Sequence, residues 1–195
     1  MYFNLLVEGY VDEALAKKVI SSCGHCHSGV TYGIKGWTYI QAKAKSFDQT
    51  CFGVGLLTLV DLMDTKEECP SVVLNDWVPN RNPLHIFRVV IREAESWILA
   101  DRESIAEFLA VPLVKIPASP EELDDPKRSL INLARTSRKK AIREALVPRD
   151  GTSASEGPLY SSEITKYIEE QWDPQRASAH ASSLAKSILR LRQVV

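Results

Sequence analysis

The sequence predicts an α/β protein: a mostly parallel sheet of four or slightly more strands, flanked by helices and followed by a C-terminal helical extension. Three short apolar runs, at 2–7, 54–60 and 84–91, have the near-continuous hydrophobic character of buried parallel strands. Segments with helical periodicity alternate with these runs, as expected for strands joined by helical crossovers. Beyond residue 126 only helical patterns recur.

The composition is that of an ordinary globular protein. The 195 residues are 45% hydrophobic and 25% charged, with 24 Lys and Arg against 25 Asp and Glu. This balance does not indicate nucleic-acid binding over the whole surface, so any such surface must be local. The four cysteines without an export signal predict reduced thiols in the cytoplasm, and no apolar run predicts contact with a membrane.

The first strand ends in acid. Residues 2–7 lead directly into Glu8 and Gly9, and a helix with its apolar face toward the sheet follows. At the carboxyl end of a parallel strand Glu8 would face the binding crevice, and Gly9 would let a ligand approach the backbone. Asp12 is assigned as the structural cap of this helix.

A loop with two cysteines and two histidines follows the first helix, and it leaves two interpretations open. The pair Cys23 and Cys26, with His25 and His27 beside it, has the spacing of a zinc knuckle. A structural zinc site needs a second pair of ligands, however, and Cys51 and Cys69 stand alone. The alternative is a connection of small residues that leads to a short strand at 30–32.

Lys35 stands between Gly33 and Gly36, at the predicted start of a helix over 37–47. Backbone donors and an ammonium group at such a position could bind phosphate; the alternative is a solvated lysine on a glycine-rich turn. The spacing is not that of a Walker A loop, so ATP hydrolysis by this chain alone is not expected. A Rossmann-type dinucleotide site is also disfavoured, because its glycine pattern is missing after the first strand.

The second and third apolar runs also end in acid. Asp61 and Asp64 follow the strand at 54–60, and Glu93 and Glu95 follow the strand at 84–91. Carboxylates delivered to one edge of a sheet repel one another unless a divalent cation neutralises them, and oxygen ligands suit Mg²⁺ or Mn²⁺. The predicted metal ligands are Glu8, Asp61, Asp64, Glu93 and Glu95. Of these, Glu8, Asp61 and Glu95 are the predicted catalytic residues; a hydrogen-bonded structural role for Glu95 is left open.

The rest of the chain is predicted to be helical. Asp101 is assigned as the cap of a short helix over 102–110, and the α/β core is predicted to span 1–112. Residues 113–195 would then form a linker and a helical subdomain on that core, with helices at 127–146, 160–172 and 174–192. The cations Arg138, Lys139 and Lys140, together with Lys186 and Lys35, are candidate contacts to phosphate or nucleic acid; the alternative is a solvated charged face.

Two motifs resemble those of the Toprim domain. Val7-Glu8-Gly9-Tyr10-Val11-Asp12 is similar to its first motif, in the form found in bacterial primases, and Leu59-Val60-Asp61-Leu62-Met63-Asp64 lies where Toprim domains carry their aspartates. The usual aspartates are separated by one residue, whereas two residues intervene here. The segment 92–101 and shorter motifs beyond it resemble an uncharacterised bacterial family related to Toprim proteins, which is associated with phage-defence gene clusters.

The resemblance implies a Toprim-like fold and a metal-dependent phosphoryl-transfer enzyme, with a nuclease acting on DNA or RNA as the main expectation. In such a site Asp61, with Asp64 or Glu95, holds the cation, and Glu8 is a ligand or the general base. The alternative is an inactive Toprim-like effector or regulatory subunit that binds a partner ATPase. The aspartate spacing and the near-neutral charge favour this second hypothesis.

Overall fold

A computed structural model describes residues 1–194 and contains one fully parallel sheet. Its strands are β1 (Tyr2–Val7), β2 (Cys26–Gly33), β3 (Gly55–Asp61) and β4 (His85–Val90). They lie in the order β2-β1-β3-β4. The predicted α/β class with a four-stranded parallel sheet is therefore confirmed.

Helices connect and flank the strands, and the predicted C-terminal helical extension is confirmed. Their bounds are α1 (Tyr10–Ser22), α2 (Trp37–Asp48), α3 (Pro70–Trp77), α4 (Ala94–Ala100), α5 (Arg102–Leu109), α6 (Pro126–Arg135), α7 (Lys140–Leu146), α8 (Tyr160–Glu170), α9 (Pro174–Ala177) and α10 (Ser182–Arg192). Two 3₁₀ turns lie at Leu113–Lys115 and Pro120–Glu122. Within residues 1–194, no helix combines the length and apolar character needed to cross a bilayer.

The strand order creates a crevice between β1 and β3. After β1 the chain first adds β2 on one side and then returns to place β3 on the other side. Leu6 of β1 is paired with Thr58 of β3, so the two strands end beside each other. Open α/β sheets bind ligands at such a switch point, outside the carboxyl ends of the strands. Glu8 and Asp61 lie there.

Side chains of β1 alternate between two apolar clusters, one on each face of the sheet. Leu5 and Val7 belong to the cluster that includes α1, α4 and the C-terminal helices. Leu6 belongs to the smaller cluster with α2 and α3. The larger cluster is continuous from Phe3 to Val194, across the boundary predicted at residue 112.

The predicted helix at 127–146 is wrong as a single element, because α6 ends at Arg135 and α7 begins at Lys140. Ser137 is buried between them, and its hydroxyl accepts a hydrogen bond from the Lys139 backbone N–H (3.0 Å). A serine side chain that satisfies the backbone locally competes with helix continuation. The cations of this stretch are therefore distributed over two helix axes.

The predicted helix at 174–192 is likewise two helices, α9 and α10. The Glu121 carboxylate accepts hydrogen bonds from the backbone N–H groups of Ser182 (2.8 Å) and Ser183 (2.9 Å). These contacts satisfy free donors at the start of α10 and fix where that helix begins. The partner residue is 61 positions away from Ser182, so no local sequence signal marks this boundary.

Strand β2 is longer than the short segment predicted at 30–32, and it forms one edge of the sheet. Its pairing with β1 is irregular: Phe3 lies opposite His27, whereas Leu5 lies opposite Thr31. Two additional residues of β2 are therefore accommodated as a bulge, where Gly29 has a φ of 93°.

Candidate metal centre

Acidic side chains line a cleft of about 390 Å³ at the carboxyl ends of β1, β3 and β4. Its ionisable lining consists of one lysine, two tyrosines and a majority of carboxylates, namely Glu8, Asp12, Asp61, Asp64, Glu93, Glu95 and Glu156, with Lys127, Tyr10 and Tyr160. One ammonium group cannot balance this many carboxylates. The cleft therefore attracts cations.

Three of these acids approach within the reach of a single cation. One carboxylate oxygen from each of Glu8, Asp61 and Asp64 lies within 4.8 Å of the others. After Asp61 the chain turns, and the Thr65 N–H donates to the Leu62 carbonyl (3.2 Å). The chain therefore folds back directly after β3, and the two-residue gap does not keep the carboxylates of Asp61 and Asp64 apart.

Glu8 and Asp61 are also joined directly: the backbone N–H of Asp61 donates to Oε1 of Glu8 (2.8 Å). The Oδ1 atom of Asp61 is buried and accepts no hydrogen bond from residues 1–194. A buried carboxylate oxygen without a donor is costly unless a cation takes the place of the donor. These oxygens fit Mg²⁺ or Mn²⁺, which bind carboxylate oxygens.

Burial and mutual repulsion raise the pKa values of the cleft acids. Burial, with the charges of Asp12 and Asp64, raises the pKa of Glu8 to about 8, although the Asp61 N–H opposes this. Burial raises the pKa of Asp61 well above its usual range, and the charges of Asp12, Glu8 and Glu95 add to the effect. A bound divalent cation would favour the ionised form of both groups.

Asp12 contributes to the cleft as well as to α1. Its Oδ2 accepts a hydrogen bond from the backbone N–H of Gly9 (3.0 Å), which lies at the N-cap position, so Asp12 supports the first turn from inside the helix. The residue is only 8% exposed and lines the cleft. Burial, followed by the charge of Glu95, raises its pKa to about 7.

Glu95 lies at the bottom of the acidic lining, with 5% of its surface exposed. The Tyr160 hydroxyl donates to its Oε1 (2.8 Å) and ties α8 to α4. Burial raises the pKa of Glu95, while the charge of Lys127 and this hydrogen bond counteract the shift. Glu95 therefore has the hydrogen-bonded structural contact that was left open as an alternative. Its role in metal binding stays a prediction.

Glu93 and Lys127 connect the cleft to α6. The backbone N–H of Lys127 donates to Oε1 of Glu93 (3.1 Å). The pKa of Glu93 is raised to about 7 by burial and by the charge of Glu95. The Lys127 ammonium lies 2.5 Å from Oε2 of Glu156 and 4.9 Å from the Tyr160 ring centre. Burial opposes the charge of Lys127, but Glu156 and Glu95 raise its pKa overall.

The predicted phosphate-binding cations do not line the cleft. Lys35 lies beyond β2, with its ammonium 5.2 Å from the Tyr39 ring, although the neighbouring Gly36 N–H donates to the Glu8 carbonyl (3.2 Å). Lys139 donates to the carbonyls of α5, Lys140 pairs with Glu144, and Arg138 lies beside α5. Lys186 is exposed on α10, where its carbonyl accepts from Arg88 (2.6 Å).

Asp101 stands at the N-cap position of α5 as predicted, but its side chain makes no capping hydrogen bond. The buried carboxylate instead accepts from Nε and Nη2 of Arg176 (2.8 Å each) and from the Asp173 N–H (2.8 Å). A bidentate arginine satisfies both oxygens more strongly than a single backbone N–H would. The assigned cap is therefore corrected to an anchor for α9.

The cysteine and histidine residues do not gather around a common point. His25 contacts the Leu191 carbonyl through Nε2 (2.9 Å), whereas His27 contacts the Val30 carbonyl (3.2 Å). Cys23 and Cys26 are free thiols. Within residues 1–194, the group of three or more potential ligands that meets the distance requirement is the one formed by Glu8, Asp61 and Asp64.

Comparisons of the chain with protein-family models, curated proteins and solved structures give no match. The class of protein is therefore defined by its own architecture: an α/β protein with a carboxylate cluster at the switch point of a parallel sheet. The site also includes Lys127, Glu156 and Tyr160, which the sequence analysis missed. Lys127 and Tyr160 belong to the shorter motifs that resemble the Toprim-related family, but no role was predicted for them, because they enter the cleft through tertiary contacts.

Proposed function

We propose that the chain is a Toprim-like, divalent-metal-dependent phosphoryl-transfer enzyme, specifically a nuclease acting on DNA or RNA in phage defence or nucleic-acid processing. The observation that carries this proposal is the convergence of Glu8, Asp61 and Asp64, with the unpartnered Oδ1 of Asp61 among them. The parallel sheet with acids after β1 and β3 is compatible with the Toprim resemblance.

Asp61 and Asp64 would hold Mg²⁺ or Mn²⁺, and Glu8 beside them would be either a further ligand or the general base. The cation would supply charge stabilisation to a phosphodiester in the cleft and position the attacking water. Glu95, held by Tyr160, and Asp12 also line the cleft, and the charge of a bound cation would favour the ionised form of both. The cleft volume leaves room for a phosphate and its neighbours rather than for a whole duplex.

Hydrolysis would require Glu8 as the general base. Its carboxylate takes a proton from water as the water oxygen bonds to phosphorus, and the bond from phosphorus to the leaving oxygen breaks. The leaving oxygen then takes a proton from solvent. The Asp61 N–H fixes one oxygen of Glu8, so the other oxygen is available for proton transfer.

Lys127 would stabilise the negative charge that develops on the phosphoryl oxygens, since it is the lysine that lines the cleft. A Lys127→Gln substitution should lower the cleavage rate constant on the order of 10²-fold, as expected for one lost electrostatic donor. Metal binding should persist, because Lys127 is not a ligand. Metal binding is followed by the rise in melting temperature with Mn²⁺.

The alternative, a non-catalytic subunit that binds a partner ATPase, is favoured by one specific contact. Glu156 already neutralises Lys127, at 2.5 Å, so in this conformation the cleft offers a phosphate no unpaired lysine from its lining. In that case a cation bound in the cleft would serve the structure only, and the protein would hydrolyse no nucleic acid.

A two-part experiment separates these functions. Purified protein is titrated with Mg²⁺ and Mn²⁺ while its melting temperature is followed, and it is then incubated with single-stranded DNA, plasmid and RNA. We expect a metal-dependent rise in melting temperature and cleavage of at least one substrate in the wild type. Glu8→Gln should lose cleavage, and the matched surface variant Asp76→Asn should keep both properties.

Three results would count against the enzyme. Cleavage that survives Glu8→Gln would assign the activity to a contaminant. A metal response without cleavage of any substrate would leave the partner-binding function. The absence of a metal response in the wild type would remove the metal centre itself.

A further inference from the structure

The acidic cleft continues into a groove along α6. A neighbouring pocket of about 450 Å³ shares Glu93 and Lys127 with the cleft. A third pocket, of about 830 Å³, shares Arg135 and Pro148 with the second. The three spaces are therefore adjacent in a row that starts at the carboxylate cluster. The loop 147–159, which connects α7 to α8, contributes residues to each of them.

Arginines recur along this row. We call the two outer pockets together the arginine groove and define it by Arg128, Ile131, Arg135, Arg143, Pro148 and Arg149. Three of its arginines are exposed and Arg143 is half-buried. Within residues 1–194, none of these four guanidinium groups forms an ion pair.

The groove also contains carboxylates, but most of them are engaged. Asp125 accepts the Arg128 backbone N–H at the start of α6 (2.6 Å), and Glu144 pairs with Lys140 (3.4 Å). Glu93 belongs to the cleft and accepts from the Lys127 N–H. Asp150 is left on the rim. Counting Lys127, the lining of the groove carries five cationic side chains and four carboxylates, and it lies next to a cleft lined mostly by carboxylates.

We propose that the arginine groove binds the backbone of a single-stranded polynucleotide and leads one of its phosphates into the acidic cleft. This inference rests on the proposed function and specifies its substrate as a polymer rather than a free nucleotide. The exposed arginines neutralise successive phosphates, and the cation in the cleft receives the phosphate to be cleaved.

The apolar lining favours a single strand over a duplex. Val147, Pro148 and Leu159 lie among the arginines in the lining of the groove. Unpaired bases can place their faces against such surfaces, whereas a duplex keeps its bases stacked inside. The groove lining described here has no aromatic side chain and no array aimed at base edges, so binding should depend little on base sequence.

The structure places two neighbouring arginines, Arg135 and Arg138, in different pockets. Arg135 lies in the groove, whereas Arg138, three residues later, lines a different pocket beside α5. This difference follows from the break between α6 and α7, and it supplies a matched pair of positions. Both residues are exposed, so neither substitution should affect folding.

The proposal is tested by the binding of fluorescein-labelled twelve-nucleotide DNA and RNA strands. Binding is measured by fluorescence anisotropy in the presence of Ca²⁺. The groove variant carries Arg135→Gln and Arg149→Gln; the control variant carries Arg138→Gln and Lys45→Gln, with Lys45 on α2. We expect roughly tenfold weaker binding for the groove variant and none of this loss for the control. The slope of log affinity against log salt should become shallower by about 1.4, from 0.7 per lost contact.

The arms of the experiment separate the other outcomes. Equal losses in the two variants, or equal affinity for a dinucleotide and the twelve-nucleotide strand, would overturn the proposal. Tighter binding of a duplex, or equal competition by polyglutamate, would also overturn it by assigning the groove to a different ligand. The Mn²⁺ shift in melting temperature should be the same in the groove variant and wild type, so failure of the groove and failure of the metal centre are measured separately.

Discussion

Asp61 has a buried Oδ1 atom that accepts no hydrogen bond from the described chain, and it lies close to Glu8, Asp12 and Glu95. Its ionised form therefore destabilises the fold when no cation is bound. Asp61→Asn removes the charge while keeping the shape. We expect a higher melting temperature for the metal-free variant than for wild type, with a larger difference at pH 8 than at pH 5.

The same substitution should abolish the rise in melting temperature with Mn²⁺. Asp61 would then lower the stability of the metal-free protein and be required for metal binding. Differential scanning fluorimetry with EDTA and with Mn²⁺ measures both effects. Asp76→Asn, at an exposed position of α3, is the control for removal of one negative charge. A metal-free Asp61→Asn protein that melts below wild type at pH 8 would contradict the assignment of Asp61 as a destabilising charge.

The acids of the cleft together predict how stability depends on pH. The folded-state pKa values are about 8 for Glu8, about 7 for Asp12 and about 7 for Glu93. The unfolded values lie near 4. Because the folded protein then binds more protons than the unfolded chain, stability must fall as pH rises between about 4 and 8.

Urea denaturation from pH 4.5 to 8.5 in EDTA should show this fall in the free energy of unfolding. Saturating Mn²⁺ should reduce it, since the cation replaces the protons on the carboxylates. His85, whose pKa burial lowers, acts in the opposite direction below about pH 6.5 and should make the fall shallower there. A flat or rising profile in EDTA would mean that the cleft acids are not perturbed in this way.

The site was predictable from sequence only where a strand delivers a residue. Glu8 and Asp61 follow apolar runs, and parallel strands bring their carboxyl ends to one edge. Asp64 depended on the turn after β3. Lys127 and Tyr160 reach the cleft from helices more than 30 residues beyond the last strand, and nothing in their local sequence indicates this approach.

At the scale of elements, the corner between α7 and α8 fixes the loop that carries Glu156. A side chain at Gly157 would collide with the carbonyl oxygen of Ala145 and with the backbone of Leu146. Gly157→Ala should therefore destabilise the protein by about 1 to 3 kcal/mol, the range for overpacking a close contact. Chemical denaturation measures this loss.

The exposed neighbour Ser155→Ala is the matched control, and it should change the free energy of unfolding by less than about 0.5 kcal/mol. Because Glu156 precedes the glycine, Gly157→Ala should also displace the carboxylate from Lys127 and alter the cleavage rate. An unchanged stability would show that the corner relaxes freely, contrary to the close backbone approach.

The elements themselves were predictable to different degrees. Strands β1, β3 and β4 have the near-continuous apolar runs typical of buried strands, whereas β2 is an edge strand of small and polar residues. The helix break near Ser137 has no glycine or proline to mark it. Both features depend on neighbours in the fold rather than on local pattern.

For the whole molecule, two tryptophans join the sheet-forming part to the C-terminal helices. The Trp172 indole N–H donates to the Trp97 carbonyl (3.0 Å), and the Trp97 indole donates to the Ser183 hydroxyl (2.7 Å). Both rings are fully or almost fully buried. Trp172→Ala should therefore destabilise the protein by about 3 to 5 kcal/mol, as expected for loss of a large core side chain.

Because the larger apolar cluster is continuous, this variant should unfold in a single transition. Far-ultraviolet circular dichroism and intrinsic fluorescence should give coincident curves against urea. Leu189→Ala, at an exposed position of α10, is the control. Two separate transitions would support the predicted boundary at residue 112 as a boundary between independently folding units.

The fold class followed from the alternation of apolar strands and helices, because burial of both sheet faces imposes that pattern. The arrangement of α8 and α10 against α1 did not follow from it. Amphipathic helices show that a face is buried, but their sequences do not identify the surface that covers it.

The bulge in β2 has a consequence for how molecules meet in concentrated solution. A straight edge strand offers evenly spaced donors and acceptors, to which a second sheet can attach and from which fibrils can grow. Around Gly29 this spacing is interrupted, and polar side chains dominate the strand. That edge is therefore a poor template for growth, and the protein is protected there against fibrillar aggregation without a covering helix.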